Sequence, residues 1–494
     1  MATYDEVIEL ALRRALFYPA SDIYQNSPAG FYDFGPYGTA IKRKIVDLWR
    51  KLLIQNEDML EIDGAITMPE DVFKSSGHLK NFNDPMTSCK KCGSIQRADN
   101  ILTEKTKKEY KEAMSDEELT KALREHKIIC PKCKGELNDV KRFNMMVKAE
   151  VGVATKTAMY LRPETCQSIF TNYERMLKTM RMKLPKGIAQ YGKSFRNEIS
   201  PRQSLLRQVE FHQMEAEVFF DPKEINEVKN FKDVENYKLR IMRAGKDSVE
   251  SITAKDLVKN KIVSGQIIAY YLARTQQLYE AYGFKLENIR FRELDDKERA
   301  FYAKEGWDFE VNTSLGWVEL IANNYRTDYD LEGHQKGSGR DLSFLRQDNT
   351  RVVPHVWEIS IGTDRTFYAV LENSLKKDEK RTWLSLPAAV VPIQASIFPL
   401  LSNKDELTSK AEQVYKELKK MYEVFYDESG SIGKRYARVD EVGCPLCITI
   451  DFDSLTNNDV TIRDRDSSEQ KRVKIENLKN VIKNVLEGVE FKKL

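Results

Sequence analysis

Residues 187–220 constrain this chain more than any other segment. They divide into two β-like runs, GIAQYGKSFRNEIS and RQVEFHQMEAEVFF, joined by the polar PRQSLL. The second run partly alternates apolar and polar residues, so the pattern predicts an antiparallel hairpin. Arg196 and Glu198 lie two apart on the first run and share a face, with Arg207 and Phe211 across the loop. Two cations, an acid and an aromatic ring suit an ATP-dependent acyl activation. That chemistry needs guanidinium groups for phosphate, plus a flat face and an acceptor for adenine, but no base or nucleophile. A solvated hairpin with surface ion pairs fits the same residues, and the spacing alone does not choose.

The rest of the chain surrounds this hairpin with recognisable elements. Ile41, Ile45, Leu48, Trp49 and Leu52 recur at helical spacing in 37–54, after the turn GFYDFGPYG. The lysine- and glutamate-rich stretch 86–140 is bracketed by Cys89/Cys92 and Cys130/Cys133 and reads as an insertion with its own small fold. A charged stretch at 222–285 is expected to be helical. The strand-like runs WDFEVNT, GWVELIANN and HVWEISIG then lead into a helix near Asp364. After LSLPAAVVP a shorter β-α-β rhythm predicts a separate C-terminal α/β unit, with a helix at 403–424, strands CITIDF and DVTIRDRD, and a last helix near 475–488. The expected division is 1–85 and 141–385 for a catalytic unit, 86–140 for the insertion and 386–494 for the C-terminal unit.

Composition excludes little. At 494 residues with 41% apolar content the chain is expected to hold several domains. With 79 basic against 76 acidic side chains, any nucleic-acid contact must come from local patches. The chain has no 18-residue apolar run and begins with MATYDEVIEL, which predicts neither a membrane span nor export. The two CxxC pairs are separated by 37 residues, longer than in compact zinc ribbons, yet CKKCG and CPKCKG have knuckle-like context. Four thiolates there would make a closed, structural Zn²⁺ site for a segment with little apolar surface to bury. Cys444 and Cys447 enter an apolar strand and read as buried structural cysteines, as does Cys166. None of His78, His126, His212, His334 and His355 falls into a metal or triad spacing.

The order of RPETCQSIF (162–170), SFRNEISPR (194–202) and EISIGTDRTFYAV (358–370) resembles the class II aminoacyl-tRNA synthetases. YPASDIYQNSPAGFYDFGPYG, SSGHLKNF, FNMMVKAEVG, WVELIANNYRTDYDL, GSIGKRYARVDEVG and VTIRDRDSSEQ are similar to the dimeric glycyl-tRNA synthetases over nearly the whole chain. The resemblance implies an α+β catalytic domain with a central antiparallel sheet flanked by helices, a C-terminal anticodon-binding domain and a cytoplasmic homodimer. It implies glycine, ATP and tRNA-Gly as substrates and Mg²⁺ with ATP. Arg196 and Arg207 would hold phosphates, Glu198 would meet the adenine amino group, and Phe211 and Arg365 would sandwich the ring. Glu319 with Glu310 would bind Mg²⁺. Glu215, Arg326, Glu358, Ser360 and Glu164 would hold glycine.

Several positions depart from that pattern. Gln208 and Val209 stand where a second arginine is usual, Ile359 replaces a proline, Cys166 an alanine, and ANNY (322–325) a glycine- and alanine-bearing stretch. Lys434, Arg435, Arg438, Arg463 and Arg465 are candidates for anticodon phosphates, with a plain solvated surface as the alternative. The lysine-rich 104–127 offers the same choice for an acceptor stem. Two rival readings remain: a synthetase for another amino acid, and a catalytically dead RNA-binding paralogue, which would be expected to lose Arg196, Arg207 and Arg365.

Overall fold

The computed structural model describes residues 2–108, 110, 114–153, 156–198, 201 and 203–494. Among these, nine strands form one mixed sheet in the order Val249–Thr253, Lys238–Met242, Ile289–Glu293, Glu305–Thr313, Gly316–Thr327, His355–Gly362, Glu210–Phe220, Lys186–Phe195, Leu60–Glu61. Every pairing from Ile289–Glu293 to Lys186–Phe195 is antiparallel. The hairpin is present, with Glu215 opposite Gln190, but its first strand stops at Phe195, so Arg196 and Glu198 lie in the connecting loop and not on a shared strand face as expected.

Alternation along Glu210–Phe220 explains how this sheet carries both a core and a site. Met214, Ala216, Val218 and Phe220 are buried in the main core with Ile41, Ile45 and Trp49, with Tyr279, and with Phe367 and Val370. These come from the helices Pro36–Trp49, Gln266–Ala281 and Thr363–Ser374. Phe211, Gln213, Glu215, Glu217 and Phe219 point the other way. Phe219 packs there with Ile169, Phe170 and Tyr173 of the helix Cys166–Thr179. The helix expected at 37–54 runs Pro36–Trp49 and continues through Gln55 as a wider π turn. Proline in its first turn has a preset φ suited to that position. Gly35 and Gly38 precede and open it because a Cβ at either would sit 1.9 Å or less from the carbonyl oxygens of Ala15 and Leu16.

The stretch 222–285 departs from expectation. It holds helices Ala254–Lys259 and Gln266–Ala281, but also two strands, Lys238–Met242 and Val249–Thr253, that extend the sheet's edge. In KLRIM the buried Leu239 and Ile241 alternate with charged or half-buried neighbours. Surrounding lysines and glutamates hide this short period-two signal.

Within 86–140 the helices Ala98–Thr106 and Asp116–Glu125 bury Ile101, Leu102, Leu119 and Leu123 beside Cys89 and Cys130 in a small core. The C-terminal residues form a five-stranded sheet ordered Val424–Tyr426, Ala395–Pro399, Leu446–Ile450, Asp459–Asp464, Gln470–Lys474. Its first three strands are parallel, and the helices Asp405–Leu418 and Leu478–Leu486 seal its core. Among the described residues no helix is long and apolar enough to cross a membrane.

Candidate active site

A cleft of about 800 Å³ opens on the polar face of the central sheet. Arg196, Glu198, Arg207, Phe211, Glu319, Arg365, Glu164, Glu358 and Ser360 all line it. One end gathers three arginines around an aromatic ring. The Arg196 guanidinium lies 5.4 Å from the ring centres of both Phe82 and Phe211, and its Nε donates to the Pro163 carbonyl. Arg207 Nε donates to Glu198 at 2.7 Å, so the phosphate cation and the adenine acceptor expected here are paired with each other. Arg365 is held by the carbonyls of Leu206 and Glu319, 3.0 Å each, with the Glu319 carboxylate 3.5 Å away.

Glu310 does not line the cleft. Its carboxylate is taken by Arg290 at 2.7 Å and Arg292 at 3.1 Å, as a buried ion pair. The carboxylate that joins Glu319 in the wall is Asp308, two residues earlier on the same strand face. Burial and the nearby Glu319 push Asp308 well above the usual carboxylate range, against the pull of Arg292. Arg292 also donates to Asp308 at 2.8 Å, so what separates the two acids is Arg290, and the sequence WDFE cannot tell which of them it takes.

At the other end, ligand atoms of Glu164, Glu215, Glu358 and Cys166 all lie within 4.8 Å of one another. Glu215 accepts from the hydroxyls of Thr165 and Ser360 and, at 3.3 Å, from Gln213. His78 bonds Glu164, and Ser76 bonds the other ring nitrogen of His78 at 2.8 Å. Burial works to raise Glu164, but His78 holds it down to about 2. Glu358 accepts from Asn324 and Arg326, each at 2.7 Å. Burial, then the charge of Glu164, raises Glu215, and burial also raises Glu358 against the pull of Arg326. Cys166 has its thiol pushed far up by burial, so it presents a neutral S–H.

Arg326 stands behind this pocket and not in it. Its Nε and Nη2 donate to Asp330 at 2.7 and 3.0 Å, its Nη1 goes to Glu358, and Tyr302 covers the guanidinium at 3.7 Å. No face remains to grip a ligand's carboxylate, so that expectation is corrected: Arg326 holds Glu358. Glu217, directly opposite Glu358 in the sheet, is fully buried with neither oxygen hydrogen-bonded. Burial, then the charge of Glu358, pushes it far above the usual carboxylate range, against the pull of Arg326. Thr165, Asn324, His78 and Asp308 were not singled out from the sequence. Only the spacing of Asp308 from Glu310 gave a signal.

In the insertion the four sulfurs converge. Cys89 faces Cys133 at 3.4 Å and Cys92 faces Cys130 at 3.8 Å, with all four within 4.8 Å. Zn–S bonds near 2.3 Å imply S···S edges of about 3.8 Å, which this set fits. A disulfide would need about 2.05 Å. A Cβ on Gly135 would come within 2.9 Å of the Cys89 sulfur, so glycine keeps the cluster clear. Glu109 and Lys111 of the lysine-rich run lie outside the described residues.

The C-terminal arginines are mostly spoken for. Arg435 is buried and donates to the carbonyls of Pro399 and Gly430. Arg463 chelates Asp440 at 3.0 Å twice, Arg465 donates to the Leu386 and Gly443 carbonyls, and Arg438 pairs with Asp427. Lys434 alone of the five stays exposed. Cys444 and Cys447 are buried, as expected, and Cys444 meets Ser396.

An antiparallel sheet that presents arginines and an aromatic ring at one end of a cleft and clustered carboxylates at the other defines a class II aminoacyl-tRNA synthetase. Residues 150–245 match the family model "tRNA synthetase class II core domain (G, H, P, S and T)", and 389–485 match "Anticodon binding domain". The chain is 36% identical to the glycine–tRNA ligase of Methanothrix thermoacetophila, over 99% of this chain and 98% of the relative. It is 38% and 37% identical to the glycine–tRNA ligases of Thermococcus gammatolerans and Pyrococcus horikoshii, over 98% of this chain and 99% of each relative. The chain belongs to the glycine–tRNA ligase family of class II synthetases.

Proposed function

We propose that the cleft carries out both steps of glycyl-tRNA synthesis with the roles that follow. The observation that carries the reading is the convergence of Glu164, Glu215 and Glu358 within 4.8 Å in a buried pocket. Three carboxylates so close and so dry are costly unless a small cation joins them. Glycine's ammonium is such a cation, and Ser360 with the packed acids leaves no room for a Cβ. Glycine's carboxylate then points toward Arg196, which replaces Arg326 in that role. ATP lies along the wall with adenine on Phe211 beneath Arg365, Glu198 at its amino group, and Arg207 at its phosphates.

A carboxylate oxygen of glycine attacks the α-phosphorus, the bond to the bridging oxygen breaks, and pyrophosphate leaves with its electron pair. Arg196 offsets charge on the α-phosphate. A terminal ribose hydroxyl of tRNA-Gly then attacks the acyl carbon, AMP leaves, and the hydroxyl proton passes to solvent or phosphate. Positioning and electrostatics supply the rate. Asp308 and Glu319 are the carboxylates that would hold Mg²⁺, which neutralises the triphosphate. Both face the cleft, and their mutual repulsion favours a cation between them.

The division at 85/86, 140/141 and 385/386, the homodimer and the cytoplasmic setting belong to the same proposal and rest on the family resemblance. The test is ATP–pyrophosphate exchange across the amino acids. Glycine should drive it, with alanine about 10–200-fold weaker, the discrimination one methyl group supports. Exchange driven by another amino acid, or none, overturns the reading, the second outcome favouring a catalytically dead paralogue. Cys89, Cys92, Cys130 and Cys133 would hold one Zn²⁺ per chain. Elemental analysis should find it, and Cys130→Ser should lose it and expose 86–140 to protease; metal-free wild-type protein would refute the assignment.

A further inference from the structure

Three of the groups assigned to ATP share an unexpected feature. Arg207, Phe211 and Arg365 are each followed or preceded in sequence by one member of a single buried polar cluster: Gln208, His212 and Asp364. The Asp364 Oδ2 atom accepts from the Gln208 amide at 3.3 Å and from the backbone N–H of His212 at 2.9 Å, with the His212 ring nitrogen Nδ1 at 3.3 Å. Lys42, from the helix Pro36–Trp49, completes the cluster, with its Nζ 3.5 Å from Asp364 Oδ1 and 3.3 Å from His212 Nδ1. Lys42 also sits 3.4 Å over the Phe34 ring, and Tyr191 stacks on His212 at 5.7 Å. Lys42, Gln208 and Asp364 are all buried.

We propose that Asp364 is a positioning residue for the nucleotide, one carboxylate that sets the places of Arg207, Phe211 and Arg365 and ties them to the helix Pro36–Trp49. The proposal rests on the nucleotide-site reading above. Gln208 gives it physical sense. At a position where the resemblance led to expecting a further cation near the phosphates, this chain turns an amide inward to Asp364 and to the Leu205 carbonyl at 3.1 Å. Gln208 lines the cleft, but its amide N–H groups are spent on fixing the loop. Burial works against ionisation of Asp364, but the His212 hydrogen bond and the nearby Lys42 hold it down to about 2, so the carboxylate is a fixed charge across the working pH range. Lys42 supplies the anchor. Without it the carboxylate would keep only Gln208 and His212 as partners, and the three elements could drift relative to one another.

Asp364→Asn keeps the volume and an acceptor for the His212 N–H but removes the charge that Lys42 opposes. In glycine-dependent pyrophosphate exchange its KM for ATP should rise about tenfold or more, since sub-ångström misplacement is costly, while the KM for glycine stays within about twofold. Lys42→Met should move ATP KM the same way, and the double variant should be no worse than the more severe single one, as expected of residues acting through one contact. Gln208→Leu should give a smaller rise. If Asp364→Asn does not fold, Lys42→Met and Gln208→Leu carry the test. Unchanged ATP KM in the folded variants, a parallel rise in glycine KM, or additive effects in the double variant overturns the proposal. Arg207→Ala and Arg365→Ala in the same assay separate the two readings. If they leave ATP KM unchanged, the nucleotide site is misplaced; if they raise it while Asp364→Asn does not, the positioning role alone fails.

Discussion

The two ends of the cleft, proposed above for nucleotide and for glycine, differ in how deeply their ion pairs are buried. At the nucleotide end, the Arg207–Glu198 pair has side chains 30% and 13% exposed, and the Arg365–Glu319 pair 36% and 44%. At the amino-acid end, Arg326, Asp330 and Glu358 are exposed by 1% or less. Exposed pairs exchange partners at little cost. Buried, fully bonded pairs do not. A triphosphate brings many contacts of its own and tolerates a site that rearranges around it. Glycine brings an ammonium, a carboxylate and two hydrogens, so its site must be rigid beforehand for exclusion of a methyl group to count.

The largest expected effect lies in the buried network. Arg326→Leu strands Glu358 and Asp330 without a cation and should cost about 3–5 kcal/mol of stability, read as a lower denaturation midpoint in urea. A midpoint close to wild type would show that the amino-acid end is as adaptable as the nucleotide end. Next comes Glu215→Gln, which keeps the volume and the acceptor for Thr165 or Ser360. Loss of one charge-assisted contact to the ammonium, about 1.5–3 kcal/mol, should lower kcat/KM for glycine by about 10–100-fold with ATP KM unchanged. Steady-state exchange kinetics that moved ATP KM instead would merge the two ends into one unit. The smallest stability effect belongs to Glu198→Gln, within about 0.5 kcal/mol of wild type, alongside a severalfold higher ATP KM in the same assay. A large loss of stability would make that pair structural and erase the contrast.

What could be read from the sequence followed from local periodicity. The hairpin, the strands at 305–313, 316–327 and 355–362, and the helix beginning at Thr363 all carry patterns of several residues. The strands at 238–242 and 249–253 were missed because five-residue alternation is easily masked by neighbouring charge. Among site residues, the sequence supplies the charge and the structure decides its partner. Glu310 and Asp308 occupy one strand face and both accept from Arg292 of the next strand, but only Glu310 is also taken by Arg290, and only Asp308 lines the cleft. Arg326 looks like a ligand-binding cation until Asp330, four residues on, is seen to fold back onto it. Arg435, Arg463 and Arg465 look like an RNA surface, yet their guanidiniums tie backbone carbonyls and Asp440 inside the C-terminal unit.

The alternation along Glu210–Phe220 also bears on how the protein reaches its native state. Sliding this strand by one residue against His355–Gly362 would send Glu215 and Glu217 into the oily side of the sheet and bring Met214 and Ala216 out to the cleft. Two buried acids in hydrocarbon would make such a misaligned chain far less stable than the correct one. Glu215, the acid proposed for glycine's ammonium, therefore also favours the correct pairing: a molecule with the wrong register would have neither this core nor this pocket.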